Sequence, residues 1–208
     1  MTTSQRGMLV VAAVVWIAAI GCGFTFLMKY SVEPGTPASA PEVWPRESQV
    51  PAPRGHYLLV MTLHPQCPCS RASVAELNNL MALLRNDNVK GEVLVVKPAE
   101  FPDEWTRTES VKSAERIPGM DVRLDVDGVE SGRLGAATSG QVLLYSPDGR
   151  LLFAGGITPD RGHLGDSPGR QRILSLVKTG TADAKDSLVF GCSLGAKICP
   201  PRPKPAGL

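Results

Sequence analysis

The chain is poor in aromatic residues and almost free of surplus charge. Phe, Trp and Tyr make up 5% of its 208 residues, and 22 Lys plus Arg stand against 20 Asp plus Glu. Beyond residue 55 the balance is 18 against 17. Nucleic-acid binding requires a basic footprint, so no nucleic-acid partner is expected. Five cysteines are too few for a disulfide-dense miniprotein. The glycines follow no period of three, which excludes a collagen-like chain, and no internal repeat recurs. A hydrophobic fraction of 43% with so little net charge excludes a wholly disordered chain.

The apolar residues that are present are unevenly placed. Met8 to Met28 runs for 21 residues without a charge. At about 1.5 Å per residue, a helix of that length spans roughly the 30 Å of a bilayer core. Residues 1–29 are therefore expected to hold one transmembrane helix, entering the membrane through residues 8–28. Arg6 and the amino terminus precede it and Lys29 follows, which favours a cytoplasmic N-terminus. Two processed alternatives stay open. Ala38-Ser39-Ala40 has the small-residue pattern of a signal-peptidase site, and Ala19-Ile20-Gly21-Cys22 loosely follows a lipoprotein box. The apolar run continues past Cys22 through Phe24, Phe26 and Leu27, which favours an uncleaved anchor.

Residues 30–55 contain Pro34, Pro37, Pro41, Pro45, Pro51 and Pro53. Such a stretch cannot form a continuous helix and reads as an extended spacer. The remainder would then lie in the periplasm or another extracytoplasmic space, where the other four cysteines can pair.

Residues 56–180 read as one α/β domain and residues 181–208 as an irregular tail. His56 to Leu63 and Glu92 to Val96 are short apolar runs of the kind buried on both faces in a parallel sheet. Between them, Val74, Leu77, Leu80, Met81 and Leu84 recur at helical spacing. Val111 to Ile117 reads as helical and Asp125 to Gly135 as loop. Gln141–Tyr145 and Leu151–Phe153 flank a Pro147-Asp148-Gly149 turn and form a hairpin. A last helix opens on Ser167 and Pro168 and stops at Gly180.

The chemistry concentrates in Cys67-Pro68-Cys69-Ser70, which joins the first strand to the first helix. The reading places Cys67 at the helix N-cap with Pro68 at N1, where the positive end of the helix favours a thiolate. A disulfide between residues two apart closes a small, strained ring, and strained disulfides are readily reduced. Cys192 or Cys199 is the other candidate to resolve a mixed disulfide formed at Cys67.

The first strand, Cys67-Pro68-Cys69-Ser70, the helix after it and the later hairpin resemble the thioredoxin-like superfamily. More narrowly, Gly155-Gly156-Ile157-Thr158, Arg161-Gly162-His163 and Phe190-Gly191-Cys192 resemble the RedB-like subgroup of membrane-anchored, extracytoplasmic thiol-disulfide proteins. The resemblance implies a three-layer α/β/α sandwich around a central mixed sheet, and oxidoreductase activity on protein thiols and disulfides without a cofactor. Cys67 matches the family nucleophile, and Ser70 stands where the family has its resolving cysteine. Gln66 replaces the family's tryptophan, and Gly140 replaces the proline of the loop facing the motif. Cys-Pro-Cys is also the active tripeptide of the mitochondrial disulfide-relay oxidoreductase, on an unrelated fold.

A metal-binding alternative rests on His64, Cys67 and Cys69 lying within six residues, with His163 as a distant ligand. Soft thiolates with imidazole suit copper, and some thioredoxin-like proteins deliver copper with two Cys and a His. His163 or Arg161 would otherwise support the thiols, by lowering a thiol pKa or, for His163, by moving protons.

Overall fold

The structure is a computed structural model that describes residues 3–194. The chain divides into two units, one ending at Glu33 and one beginning at Pro34. The first is a single helix, α1 (Thr3–Val32), long and apolar enough to cross a membrane.

The second unit is built from β1 (Tyr57–Leu63), α2 (Ser70–Leu83), β2 (Val89–Lys97), α3 (Glu109–Glu115), β3 (Met120–Val126), α4 (Val129–Arg133), β4 (Gln141–Tyr145), β5 (Leu151–Gly156) and α5 (Pro168–Thr179). A short 3-10 turn, Asp103–Thr106, precedes α3. The strand order is β3-β2-β1-β4-β5. β1 pairs in parallel with β2, and β2 with β3, whereas β1–β4 and β4–β5 are antiparallel. A βαβ unit whose first strand also pairs with a β-hairpin, followed by a helix, is the thioredoxin-like arrangement.

The apolar runs explain this placement. All of β1 beyond Tyr57 is buried, as is every residue of β4. Alternate side chains point to opposite faces. Leu59, Met61 and Leu63 meet Leu77, Leu80, Ile173 and Phe153 on one face. Leu58 and Val60 meet Leu94, Leu143 and Tyr145 on the other. The helix ends follow local chemistry. Ser167 accepts from Arg170 N–H at the start of α5, and Gly180 ends it with a left-handed φ of 78°.

Two readings from sequence are corrected. Residues 125–135 are not all loop: β3 runs through Val126, and α4 follows. Asp125 accepts from the N–H groups of Glu130 and Ser131, which starts that helix turn. The segment expected as a spacer lies instead along the domain. Trp44 N–H donates to Gly149 O (2.8 Å), and Leu151 N–H to Glu42 O (2.9 Å). Trp44 and Val50 are buried on the second sheet face, and Trp44 meets the Tyr145 ring edge-on at 4.9 Å. Prolines bar a helix but leave an extended chain free to pack, and these two apolar side chains are what dock it. The third layer is therefore largely this strap, with α4 and Leu134 beside it. The segment after Gly180 also packs: Ala154 N–H donates to Lys185 O (2.9 Å), and Ser187 Oγ to Gly156 O (2.7 Å).

Candidate functional site

The end of β1 carries the chain into His64-Pro65-Gln66-Cys67. Cys67 N–H donates to His64 O (3.0 Å), and Ser70 N–H donates back to Cys67 O (3.2 Å). The helix N-cap is Cys69, not Cys67. Cys69 already has near-helical angles, φ −70° and ψ −24°, and its side chain makes no capping bond. Cys67 thus stands in the turn just ahead of α2. Pro68, with its fixed φ, is accommodated in that turn as well as it would be at N1. Both cysteines are buried, Cys67 to 2% exposure and Cys69 to 6%.

The loop before β4 forms the opposite wall. Ser139 Oγ accepts from His64 N–H (2.8 Å) and lies 2.9 Å from Ser70 Oγ. Gly140 has φ +86°, and its N–H donates to Thr62 O (2.7 Å). A Cβ there would come within 2.5 Å of Ser73 Oγ. A side chain at 140 would therefore strain the backbone and push α2 from this loop.

The C-terminal segment completes the site. Ser139 N–H donates to Cys192 O, and Leu194 N–H to Ala137 O, both at 2.8 Å. A Cβ on Gly191 would lie 1.9 Å from Ser139 O, so only glycine lets the two backbones run this close. The result brings Cys192 to Cys67. Beside the Cys67 sulphur stand the Cys192 thiol, the Cys69 thiol, the Ser70 hydroxyl and the Cys192 backbone N–H. These donors hold the Cys67 thiol well below the ordinary thiol range, the Cys192 thiol contributing most, against the opposing effect of burial. Cys69 and Cys192 are pushed up, first because each donates its proton to Cys67 and then by burial.

Of the other predicted site residues, Arg161 reaches the segment that carries Cys192. Arg161 Nη1 donates to Gly191 O (2.8 Å), and the guanidinium hydrogen-bonds the Cys69 sulphur. It favours the ionised form of Cys69 and Cys192 without overturning the upward shift of either. His64 is buried, packs edge-on against Trp105 at 5.4 Å between centroids, and accepts from Gln66 N–H (3.2 Å). Burial lowers its pKa, with the Cys67 charge opposing. His163 is exposed and turns to Asp160 and to Arg161 O within its own loop. His64 and His163 thus have separate sets of partners. Among the described residues, no group of three or more His, Cys, Asp or Glu is arranged to hold a metal ion. Cys199 lies outside the described residues.

Sequence reasoning alone does not find Trp105. Trp105 reaches the motif only through the fold, and no local pattern marks it. Gly191, next to a cysteine in a proline-free stretch, carries a legible signal for a close backbone approach.

No protein-family model and no curated protein matches the chain. Solved structures do. An uncharacterised conserved protein from Geobacillus kaustophilus superposes with a TM-score of 0.57 at 17% identity, covering 80% of this chain and 95% of that one. A hypothetical protein from Sinorhizobium meliloti 1021 gives 0.56 at 17% identity, covering 79% and 96%. The dsbF protein of MTB, solved in mixed oxidised and reduced forms, gives 0.44 at 13%, covering 62% and 83%. The first two likenesses show that the fold is shared over nearly the whole of those chains. At such identities the chemistry must come from the site.

Proposed function

We propose that this chain is a membrane-tethered thiol-disulfide oxidoreductase whose domain works outside the cytoplasm. One observation carries the reading. A buried cysteine in the turn between the central strand and α2 has a second cysteine two residues on, and a third carried to it by the segment that bonds Ser139. A thiolate is the attacking form in disulfide exchange, and two neighbouring thiols give it partners to close onto.

In the reaction, the Cys67 thiolate attacks one sulphur of a substrate disulfide. A Cys67–substrate disulfide forms, and the other substrate sulphur leaves as thiolate. A second cysteine of the cluster, Cys69 being its nearest in sequence, then displaces the bound half. The substrate ends with two thiols and the protein with one disulfide. An external dithiol returns the protein to its starting state.

The test uses the full-length protein in detergent, reduced and then exposed to glutathione disulfide, with alkylation and peptide mass mapping. The wild type is expected to give an internal disulfide that includes Cys67. Cys67→Ser is expected to form neither a glutathione adduct at the cluster nor turnover. Turnover that survives Cys67→Ser removes the reading. Copper measured in the same sample tests the carrier alternative: stoichiometric copper shielding Cys67 and Cys69 from alkylation would replace the oxidoreductase by a metal module.

A further inference from the structure

The two thiols beside Cys67 are not equivalent in how they are held. Cys69 belongs to the same turn as Cys67, fixed between the Ser70 N–H to Cys67 O bond and the Ala72 N–H to Cys69 O bond (3.1 Å) at the start of α2. A sulphur–sulphur bond is about 2.05 Å long with a preferred dihedral near 90°. Reaching it from Cys69 would distort the first turn of a buried helix. The Arg161 guanidinium also engages the Cys69 sulphur.

Cys192 is different. It lies in a non-helical segment beside the loop before β4, joined to it through the isolated bridge Thr138–Ser193 and the Ser139 N–H to Cys192 O bond. That bond sets it beside Ser139, whose Oγ lies 2.9 Å from Ser70 Oγ in the turn that carries Cys67. A segment held by a few backbone bonds can close the remaining gap at less cost than a helix end.

We infer that Cys192, rather than Cys69, is the thiol that resolves the Cys67 mixed disulfide, and that Gly191 is the positioning residue that lets it do so. This rests on the oxidoreductase reading of Cys67. The Cys192 sulphur, as thiolate, attacks the Cys67 sulphur of the Cys67–S–S–R adduct. A Cys67–Cys192 bond forms, and RS⁻ leaves and takes up a proton. Two electrons have passed from the protein to the substrate disulfide. Cys69 remains a thiol throughout and serves as a hydrogen-bond donor to Cys67.

The experiment follows the fate of the glutathione adduct in full-length protein after glutathione disulfide is added, with rapid alkylation and peptide mapping. Cys192→Ser is expected to accumulate a stable Cys67–glutathione adduct. Cys69→Ser is expected to form the adduct more slowly, having lost a donor, yet to clear it through a Cys67–Cys192 bond. Gly191→Ala keeps all three thiols. Its Cβ meets Ser139 O, and clearance is expected to slow by about tenfold or more, since small misplacements of a reacting group carry large rate penalties. Circular dichroism of the same sample checks that it is folded.

If Cys192→Ser clears the adduct through a Cys67–Cys69 or Cys67–Cys199 bond, the assignment is wrong while the oxidoreductase stands. Full-speed clearance in Gly191→Ala also overturns the positioning role. An adduct that forms at Cys67 in none of these proteins ends the function itself.

Discussion

Ser70 Oγ lies 2.9 Å from Ser139 Oγ, and Ser139 Oγ in turn accepts from His64 N–H. The position at which the thioredoxin-like pattern carries its second cysteine is here a buried hydroxyl. It ties the start of α2 to the loop before β4. The site thus has its second thiol elsewhere, on Cys69 or on the Cys192 segment.

Ser70→Cys restores Cys-x-x-Cys spacing at the expense of that hydroxyl pair. Oxidation of this variant is expected to give a bond from Cys67 to the introduced thiol, in competition with Cys67–Cys192. Peptide mapping after oxidation with glutathione disulfide reads the ratio. A variant that yields only the wild-type bond would show that the side chain at position 70 faces away from the exchange path.

Trp44 is the main apolar anchor of the strap that follows α1. Trp44→Ala is expected to cost about 3 kcal/mol, the lower end for removing a buried large aromatic. Guanidinium unfolding of the full-length protein in detergent, followed by near-ultraviolet circular dichroism, measures it. An unchanged midpoint means that residues 34–50 serve as a spacer after all.

Glu76, on α2 and 1% exposed, pairs with Arg170 Nη1 of α5 (2.6 Å) and accepts from Gly165 N–H (2.8 Å). Glu76→Ala leaves the mostly buried Arg170 without its best partner. A loss of about 3 kcal/mol is expected, as for other broken buried pairs. The loop of residues 159–167, which carries Arg161, is expected to become protease-sensitive. Limited trypsin digestion compared with the wild type tests this, and an equally resistant loop would show that Asp166 alone holds Arg170.

The lowered Cys67 pKa has a signed consequence for pH. Stability contributed by its thiolate is complete above the titration of the unfolded thiol, near pH 8.5. It is lost as pH falls through the lowered folded value. Thiolate absorbance near 240 nm in the reduced protein is expected already at about pH 7, below the ordinary thiol range. Cys192→Ala removes the largest donor and is expected to raise the titration. Absorbance that appears only above pH 8 in the wild type would put the charge elsewhere.

Much of the fold is legible because burial and sequence pattern coincide in it. β1 and the hairpin are continuous apolar runs, and α5 is bounded by Ser167 and Gly180, so their spacing alone identifies them. β3 is readable in principle: Met120, Val122, Leu124 and Val126 alternate with Asp121, Arg123 and Asp125. The glycines and charges nearby give it the look of a loop. The site is half legible. Cys67 and Cys69 announce themselves beside a strand and a helix. The approach of Cys192 depends on backbone bonds to residues 137–139, and no local pattern encodes a contact across that distance. The strap escapes a reading from composition because proline content says what a segment cannot form and nothing about what its Trp44 will meet.

The bond from Tyr145 Oη to Pro41 O (3.0 Å) joins positions 104 residues apart. During synthesis from the N-terminus, the strap is made before the hairpin that receives it. At about 5–20 residues per second, the wait lasts several seconds or more. A helix-prone segment would use that interval to pair its own backbone groups. Six prolines deny it the chance, so it stays extended and unpaired until β4 arrives. The first part of this domain to be made therefore cannot be seated until its fourth strand exists.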